Sequence, residues 1–157
     1  MKVWRIANRH RLGLEGEGAR LYGGRWNKPG IAVIYTSSTL SLAVLECLVH
    51  LNPSKIPDDL VYVVADVPDS VTITSVDIAT LPAGWNAMTL QPVTQTIGTQ
   101  WAEAAQSAIL QVPSGVIHQE SNYVLNPHHA EFAAISWSLP VPFSFDPRLI
   151  SRASPAK

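Results

Sequence analysis

A single carboxylate lies in the middle of a long apolar run, LSLAVLECLVHL, at residues 40–51. The run has high helical propensity and is apolar on almost every face, which predicts a largely buried helix. Glu46 is the only Asp, Glu, Lys or Arg between Lys28 and Lys55. Burying an unpaired charge is very costly, so Glu46 must be paired, hydrogen-bonded or facing a cavity. Two interpretations stay open: a structural carboxylate held by an arginine, or a catalytic carboxylate presented by a rigid helix.

The composition fits one globular domain. A chain of 157 residues that is 46% hydrophobic can bury a sizeable core without disulfides or a metal. Cys47 is the only cysteine, so no intramolecular disulfide can form, and its apolar surroundings predict a small core residue. We expect a single domain over residues 1–157, with an irregular tail after about residue 147.

The charge balance indicates which partners to expect. Eleven Lys and Arg against twelve Asp and Glu give a net charge of −1, so the chain lacks the overall positive charge that is typical of proteins that bind nucleic acid or anionic membranes. The N-terminus lacks the apolar stretch of a signal peptide, and no apolar run approaches the roughly 18 residues that cross a bilayer. We therefore expect a cytoplasmic chain without nucleic-acid or membrane binding. Several basic residues in the first twenty form either a local patch or a solvated arm: Arg5, Arg9, His10, Arg11 and Arg20.

Periodicity and turn residues predict a mixed α and β domain. Strands are predicted at residues 2–7, 31–37, 60–67, 71–77, 114–119 and 133–139. Helices are predicted at 40–51 and 94–110. Irregular segments are predicted at 12–24, 81–91 and 120–132.

Arg25 is the natural partner for Glu46 among the basic residues. It lies in the Gly-rich turn GGRWN, directly before a predicted buried strand. Glycines let a backbone approach a ligand closely, and an arginine offers a planar fork to phosphate or carboxylate. The segment has neither Walker A nor dinucleotide-fingerprint spacing, so the motif alone names no ligand.

Four further residues are candidates, each with a structural alternative. Arg5 is either a second cation of the site or a surface strand residue. Tyr35 is either a core residue or a stacking wall for a planar ring. Ser121 and Asn122 either line the site or make local turn hydrogen bonds. No metal is predicted, because His128–His129 and the pair Glu46 and His50 each lack a third ligand.

Four segments, in this order, resemble the RES-domain family, the toxin half of RES–Xre type II toxin–antitoxin systems. They are VWRIA, GGRWNKPGIAVIYTS, LSLAVLECLVHL and VPSGVIHQESNYVLNPHH. The resemblance spans nearly the whole chain and is weakest over about residues 68–93. It implies an α+β fold similar to that of ADP-ribosyltransferase toxins, a bent, split β-sheet with surrounding helices. Carried over, Arg25, Glu46 and Ser121 are the family's Arg, Glu and Ser, while Arg5 and Tyr35 match further active-site positions.

The resemblance also implies a function and a partner. Its leading implication is a toxin that depletes NAD by cleaving the nicotinamide–ribose bond, as a glycohydrolase or a phosphorylase. Mono-ADP-ribosylation of a protein is the enzymatic alternative, and a non-catalytic binding module with a structural Arg25–Glu46 pair is the other. The expected partner is an Xre-type antitoxin, in a homo-oligomer or a hetero-oligomer with it.

The residue types suit NAD cleavage. A fixed carboxylate such as Glu46 stabilises the positive charge that grows on the ribose, as in glycosidases. Arg25 and Arg5 suit the pyrophosphate, and Tyr35 suits the nicotinamide ring. Ser121 and Asn122 would either bind the dinucleotide or orient Glu46. Nicotinamide leaves as a neutral molecule, so the chemistry requires neither a metal nor a strong general acid.

Overall fold

The computed structural model describes residues 1–52 and 55–151. Within these ranges the chain forms eight strands and four α-helices. The strands are β1 (Lys2–Asn8), β2 (Ile34–Ser37), β3 (Leu60–Asp66), β4 (Ile73–Ser75), β5 (Ile109–Pro113), β6 (Ser121–Leu125), β7 (Ser136–Trp137) and β8 (Val141–Pro142). The α-helices are α1 (Glu17–Tyr22), α2 (Leu40–Leu48), α3 (Pro92–Glu103) and α4 (Pro147–Ser151). None of the helices in the described ranges combines the length and the apolar character needed to cross a membrane.

The strands form one sheet that is nearly split in two. Seven strands follow the order β4-β5-β6-β2-β1-β3-β7, and β8 pairs with β3. β1 and β3 pair along their whole length, from Lys2 opposite Asp66 to Asn8 opposite Leu60. β1 meets β2, in contrast, at the single register pair Trp4 and Ser37. The α+β class and the bent, split sheet expected from the sequence are confirmed.

Apolar side chains cover both faces of the central strands. One core cluster contains Ile109 and Leu125, and a second contains their neighbours Leu110 and Val124. Because successive strand residues point to opposite faces, β5 and β6 are buried on both sides. Helix α2 packs on β1 and β2, beside the place where the sheet splits. The carboxylate of that helix is therefore carried to the split.

The segment 12–24 is not purely irregular, because it contains helix α1. The helix begins after Gly16 and ends at Gly23, and both glycines have positive φ angles, 75° and 70°. An ion pair between Glu17 and Arg20, at 2.7 Å, bridges one turn of it. The glycines that made this segment look irregular are instead the positions at which the helix begins and ends.

The prediction was also wrong between residues 94 and 132. Helix α3 ends at Glu103, and Ala105 with φ of 45° reverses the chain before β5. The predicted strand at 114–119 is a turn, and the predicted loop at 120–132 begins with β6, which pairs with both β2 and β5. Pairing on both sides outweighs the polar, turn-like composition of this stretch.

The other predicted elements lie where expected; β1 extends one residue further, to Asn8, and the rest are shorter than predicted. The predicted strands 2–7 and 60–67 are β1 and β3, while 31–37 and 71–77 shrink to β2 and β4. The predicted helix 40–51 ends at Leu48. The predicted strand 133–139 is reduced to β7, which follows the 3-10 helix Ala130–Ala134. The tail beyond residue 147 starts with α4, and residues 152–157 lie outside the described ranges.

Candidate active site

Glu46 is held by two neutral hydrogen-bond donors. Its Oε1 accepts from Ser114 Oγ and from Asn122 Nδ2, each at 2.6 Å. Its Oε2 accepts no hydrogen bond from the part of the chain that the structure describes, yet it is not sealed in the interior. The carboxylate is half-buried on α2, a helix capped by Thr39 Oγ1, which accepts from Leu42 N. One oxygen is thus fixed, and the other is free for a ligand.

Asn122 is oriented by the neighbouring strand. Its Oδ1 accepts a 2.8 Å hydrogen bond from Ser37 Oγ, and Ser37 lies opposite Asn122 in the β2–β6 register. Because the amide oxygen is occupied by this donor, the amide nitrogen faces Glu46. Asn122 therefore positions the carboxylate, one of the two roles that the sequence left open.

Ser114 is the serine that contacts Glu46. It is fully buried at the end of β5, and its Oγ accepts from the amides of Val116 at 3.1 Å and Ile117 at 2.9 Å. Since both lone pairs are used, the hydroxyl proton is directed to Glu46. Sequence reasoning missed Ser114; the signal was a serine between a buried strand and a glycine, a place where hydroxyls cap turns.

Ser121 is not brought to Glu46. Its Oγ accepts a 3.0 Å hydrogen bond from Gln111 Nε2, on the strand beside it. Adjacent residues of a strand point to opposite faces, so Ser121 and Asn122 face opposite ways. Of the two neighbouring candidates on β6, Asn122 alone meets the carboxylate.

Arg25 does not pair with Glu46. The two ion pairs found within the described ranges are Glu17–Arg20 and Asp146–Arg148. Arg25 instead donates from Nη1 to the Trp85 carbonyl at 2.9 Å and from Nη2 to the Ala87 carbonyl at 3.0 Å. The structural salt bridge considered from the sequence is therefore absent.

Arg5 lies across the split in the sheet. Its Nε donates to the Leu12 carbonyl at 3.0 Å, and its Nη1 donates to the Tyr35 carbonyl at 3.1 Å. Burial lowers the pKa of Arg5, and the nearby Cys47 opposes that shift. Burial likewise raises the pKa of the Cys47 thiol, and Arg5 opposes it. Among the residues that the structure describes, Arg5 and Arg25 donate hydrogen bonds to main-chain carbonyls and to no carboxylate, which favours an anionic ligand for their positive charge.

Tyr35 and Asn27 hold the loop that carries Arg25. Tyr35 OH donates to Asn27 Oδ1 at 2.7 Å and accepts from Trp26 N at 2.9 Å. The fully buried Asn27 Nδ2 donates to the carbonyl of Ala19 in α1 and to the loop carbonyls of Lys28 and Ile31. Burial, the largest cause, raises the pKa of Tyr35 above its ordinary value. Both hydrogen bonds of the Tyr35 hydroxyl therefore go to the loop that carries Arg25.

The GGRWN glycines permit this close packing. A Cβ on Gly24 would lie 2.5 Å from Tyr35 OH, so no larger residue fits there without movement. Arg25 in turn rests on Gly115, where an added Cβ would lie 3.0 Å from its Nε. At Gly24 a larger residue would force Tyr35 to move, whereas at Gly115 the flexible Arg25 side chain would have to shift by a few tenths of an ångström.

Comparison with known proteins decides the family. The profile of the RES domain matches residues 2–146. The chain belongs to the RES-domain family. Its relatives include the Prs ADP-ribosylating toxin of Sphingobium sp. (strain YBL2), 39% identical over 96% of this chain and 97% of that protein. They also include Toxin Res of Yersinia enterocolitica, 39% identical over 95% of this chain and 99% of that protein.

The RES-domain fold is also found among solved structures. A chain in the crystal structure of the M. tuberculosis MbcT–MbcA toxin–antitoxin complex matches this one with a TM-score of 0.72. The match covers 96% of this chain and 87% of that chain, at 21% sequence identity. At that identity the likeness concerns the fold, which agrees with the split α+β sheet described above.

Proposed function

We propose that this chain is the toxin of a toxin–antitoxin pair and that it cleaves the nicotinamide–ribose bond of NAD. The observation that carries the proposal is the state of Glu46, whose Oε1 is held by Ser114 and Asn122 while Oε2 stays open. Family membership and relatives named as toxins support the toxin role.

In the proposed reaction, Glu46 acts on the ribose. As nicotinamide departs, positive charge develops at the ribose carbon, and a preorganised carboxylate stabilises it without reorganisation. Ser114 and Asn122 hold the carboxylate by hydrogen bonds rather than by a cation, so its negative charge is not neutralised by an ion pair. Water or phosphate then adds to the ribose carbon.

The cations serve the pyrophosphate in this proposal. Within the described part of the chain, Arg25 and Arg5 hydrogen-bond only to carbonyls, so each retains donors for phosphate oxygens. Tyr35 acts mainly by holding the Arg25 loop, and because its ring packs against the core cluster of Trp26 and Val33, contact with the nicotinamide is its secondary role in this proposal. Ser121 remains a candidate only for contact with the dinucleotide, since it makes no hydrogen bond with Glu46.

Protein ADP-ribosylation is the second candidate. The observation that favours it is the name of the Sphingobium relative, an ADP-ribosylating toxin with 39% identity. The same carboxylate chemistry applies, with a side chain of a target protein in place of water. The binding-module alternative loses its main support, because Arg25 and Glu46 form no ion pair. The proposed partner is an antitoxin of the Xre type, in a complex of several chains.

The test is NAD consumption by the purified chain, with and without phosphate, followed by chromatography. Wild-type protein should consume NAD, and Glu46→Gln should lower the rate by about 10²–10³-fold. Glu103→Gln is the matched control, because Glu103 is exposed at the end of α3. ADP-ribose as product indicates water as the acceptor, its 1″-phosphate indicates phosphate, and labelled protein indicates ADP-ribosylation. A Glu46→Gln chain with normal turnover would exclude the assigned role of Glu46.

A further inference from the structure

Residues 82–90 form an irregular segment that one side chain anchors. Trp85 is 8% exposed, and its ring lies 6.2 Å from that of Trp26 and 5.9 Å from that of His118, between centroids. Met88 in the same segment is completely exposed. Trp85 therefore anchors the segment, Asn86 Nδ2 also contacts His118 Nε2 at 2.6 Å, and the other side chains of residues 82–90 are exposed.

Arg25 supplies the second attachment. Its guanidinium donates to the Trp85 and Ala87 carbonyls, on the two sides of Asn86. These acceptors are neutral, whereas a guanidinium forms its strongest hydrogen bonds with anions such as phosphate. An anion that binds the edge formed by Nη1 and Nη2 thus competes with the two carbonyls for that edge, although the guanidinium has further N–H groups outside these bonds.

We propose that residues 82–90 are a lid that Arg25 latches, and that a phosphorylated ligand releases the lid by taking over the Arg25 donors. The ligand-release step rests on the proposed function, in which the ligand carries a pyrophosphate. The latch itself rests only on the hydrogen bonds of Arg25. Until the ligand arrives, the two carbonyls also keep the guanidinium in one place, so the segment positions Arg25 as well as covering it.

One turn connects the lid to the carboxylate. In the turn after β5, Ser114 binds Glu46, Gly115 lies under the Arg25 guanidinium, and His118 packs on Trp85. The same few residues therefore contact the carboxylate, the latch and the lid anchor. Release of the lid removes one wall of this turn, which couples ligand arrival at Arg25 to the surroundings of Glu46.

Amide hydrogen exchange tests the latch without any ligand. The amides of Trp85 and Ala87 bond to the Pro82 and Gly84 carbonyls inside the lid, so their exchange reports whether the lid loosens when the Arg25 bonds to the same turn are lost. Arg25→Ala should accelerate exchange at both amides by about ten-fold or more, the factor expected for losing a hydrogen bond from a charged donor. Arg11→Ala, which removes an exposed arginine, is the matched control and should leave exchange unchanged.

Gly115→Ala provides a second variant that keeps the arginine. Its methyl group would lie 3.0 Å from Arg25 Nε and 3.3 Å from Cζ, so the guanidinium must move by a few tenths of an ångström and exchange of the same two amides should rise less than in Arg25→Ala. Unchanged exchange at Trp85 and Ala87 in a folded Arg25→Ala chain would overturn the latch.

Inorganic pyrophosphate tests the release step. Bound pyrophosphate should accelerate exchange of the Trp85 and Ala87 amides in the wild-type chain and have no effect in Arg25→Ala. Slower exchange, or no binding by calorimetry, would overturn the release step. The proposed function can fail separately. If the chain leaves NAD intact but Arg25 still slows amide exchange at Trp85 and Ala87, the latch is supported and the NAD-cleaving reaction is excluded.

Discussion

Ser114 donates a 2.6 Å hydrogen bond to Glu46 while its own oxygen accepts from the amides of Val116 and Ile117. The same hydroxyl group therefore stabilises the turn after β5 and holds the Glu46 carboxylate. Both the turn and the position of the carboxylate depend on the buried Ser114 Oγ. The neighbouring serine of the same motif region, Ser121, takes no part in this arrangement.

Exchange of each serine for alanine should separate these roles. Ser114→Ala leaves two backbone amides and one carboxylate oxygen short of a partner, so we expect a stability loss of about 1–3 kcal/mol and a turnover at least about ten-fold lower. Ser121→Ala removes one half-buried side-chain contact and should stay within about 1 kcal/mol of wild type, with near-normal turnover. Urea unfolding and NAD consumption measure both. The opposite ranking of the two variants would contradict the assignment.

Asn122→Asp should be more damaging than Asn122→Ala. The aspartate retains the size of the asparagine but replaces the amide donor with a second carboxylate, directly against Glu46. Like charges at this distance repel, and the site then lacks one of its two donors. We expect turnover to fall by about 10²-fold or more in Asn122→Asp, measured as NAD consumed by folded protein. If Asn122→Ala were less active than Asn122→Asp, the added negative charge would not be the cause of the lower turnover.

Tyr35→Phe should destabilise the chain and change its response to alkaline pH. The variant loses the bonds of the hydroxyl to Asn27 and Trp26 N, at a cost of about 1–3 kcal/mol. Because the folded pKa of Tyr35 is raised, its neutral form stabilises the fold fully below the unfolded pKa of about 10, and that contribution is lost as pH rises above it. Wild-type stability should therefore decline more steeply than that of Tyr35→Phe between about pH 9 and pH 11. Equal slopes in denaturant titrations would contradict this.

Gly98→Ala should separate α3 from the loop that carries Arg25. A Cβ at this position would lie 1.8 Å from the Trp26 carbonyl oxygen, which requires backbone movement and should cost about 3 kcal/mol or more. Gly18→Ala is the matched control, since a Cβ there meets nothing within 4 Å and alanine favours the helix. Thermal unfolding should show a lower midpoint for Gly98→Ala and an equal or higher one for Gly18→Ala. A tolerated Gly98→Ala would mean that the loop and α3 are not packed this closely.

Much of the fold and part of the candidate site could be predicted from the sequence. The lone Glu46 in an apolar run required a partner or a cleft, and the strand and helix periods of β1, β3 and α2 are local properties of the chain. The prediction exchanged two neighbouring elements: it placed a strand at 114–119, which is a turn, and an irregular segment where β6 lies. The reason is that β6 is stabilised by pairing with strands on both sides rather than by its own composition.

The sequence by itself determined that an apolar helix presents one carboxylate, because apolar periods act locally; the helix is less buried than the sequence predicts, since Leu42 and Ala43 are its buried residues. Only the tertiary structure decided the partners of this carboxylate and of Arg25. Glu46 bonds to Ser114 and Asn122 rather than to Arg25, and Arg25 bonds to the Trp85 segment. Strand register decides which face a side chain points to, and a chain reversal decides in which direction a buried hydroxyl donates its proton. Both form only when distant segments pack.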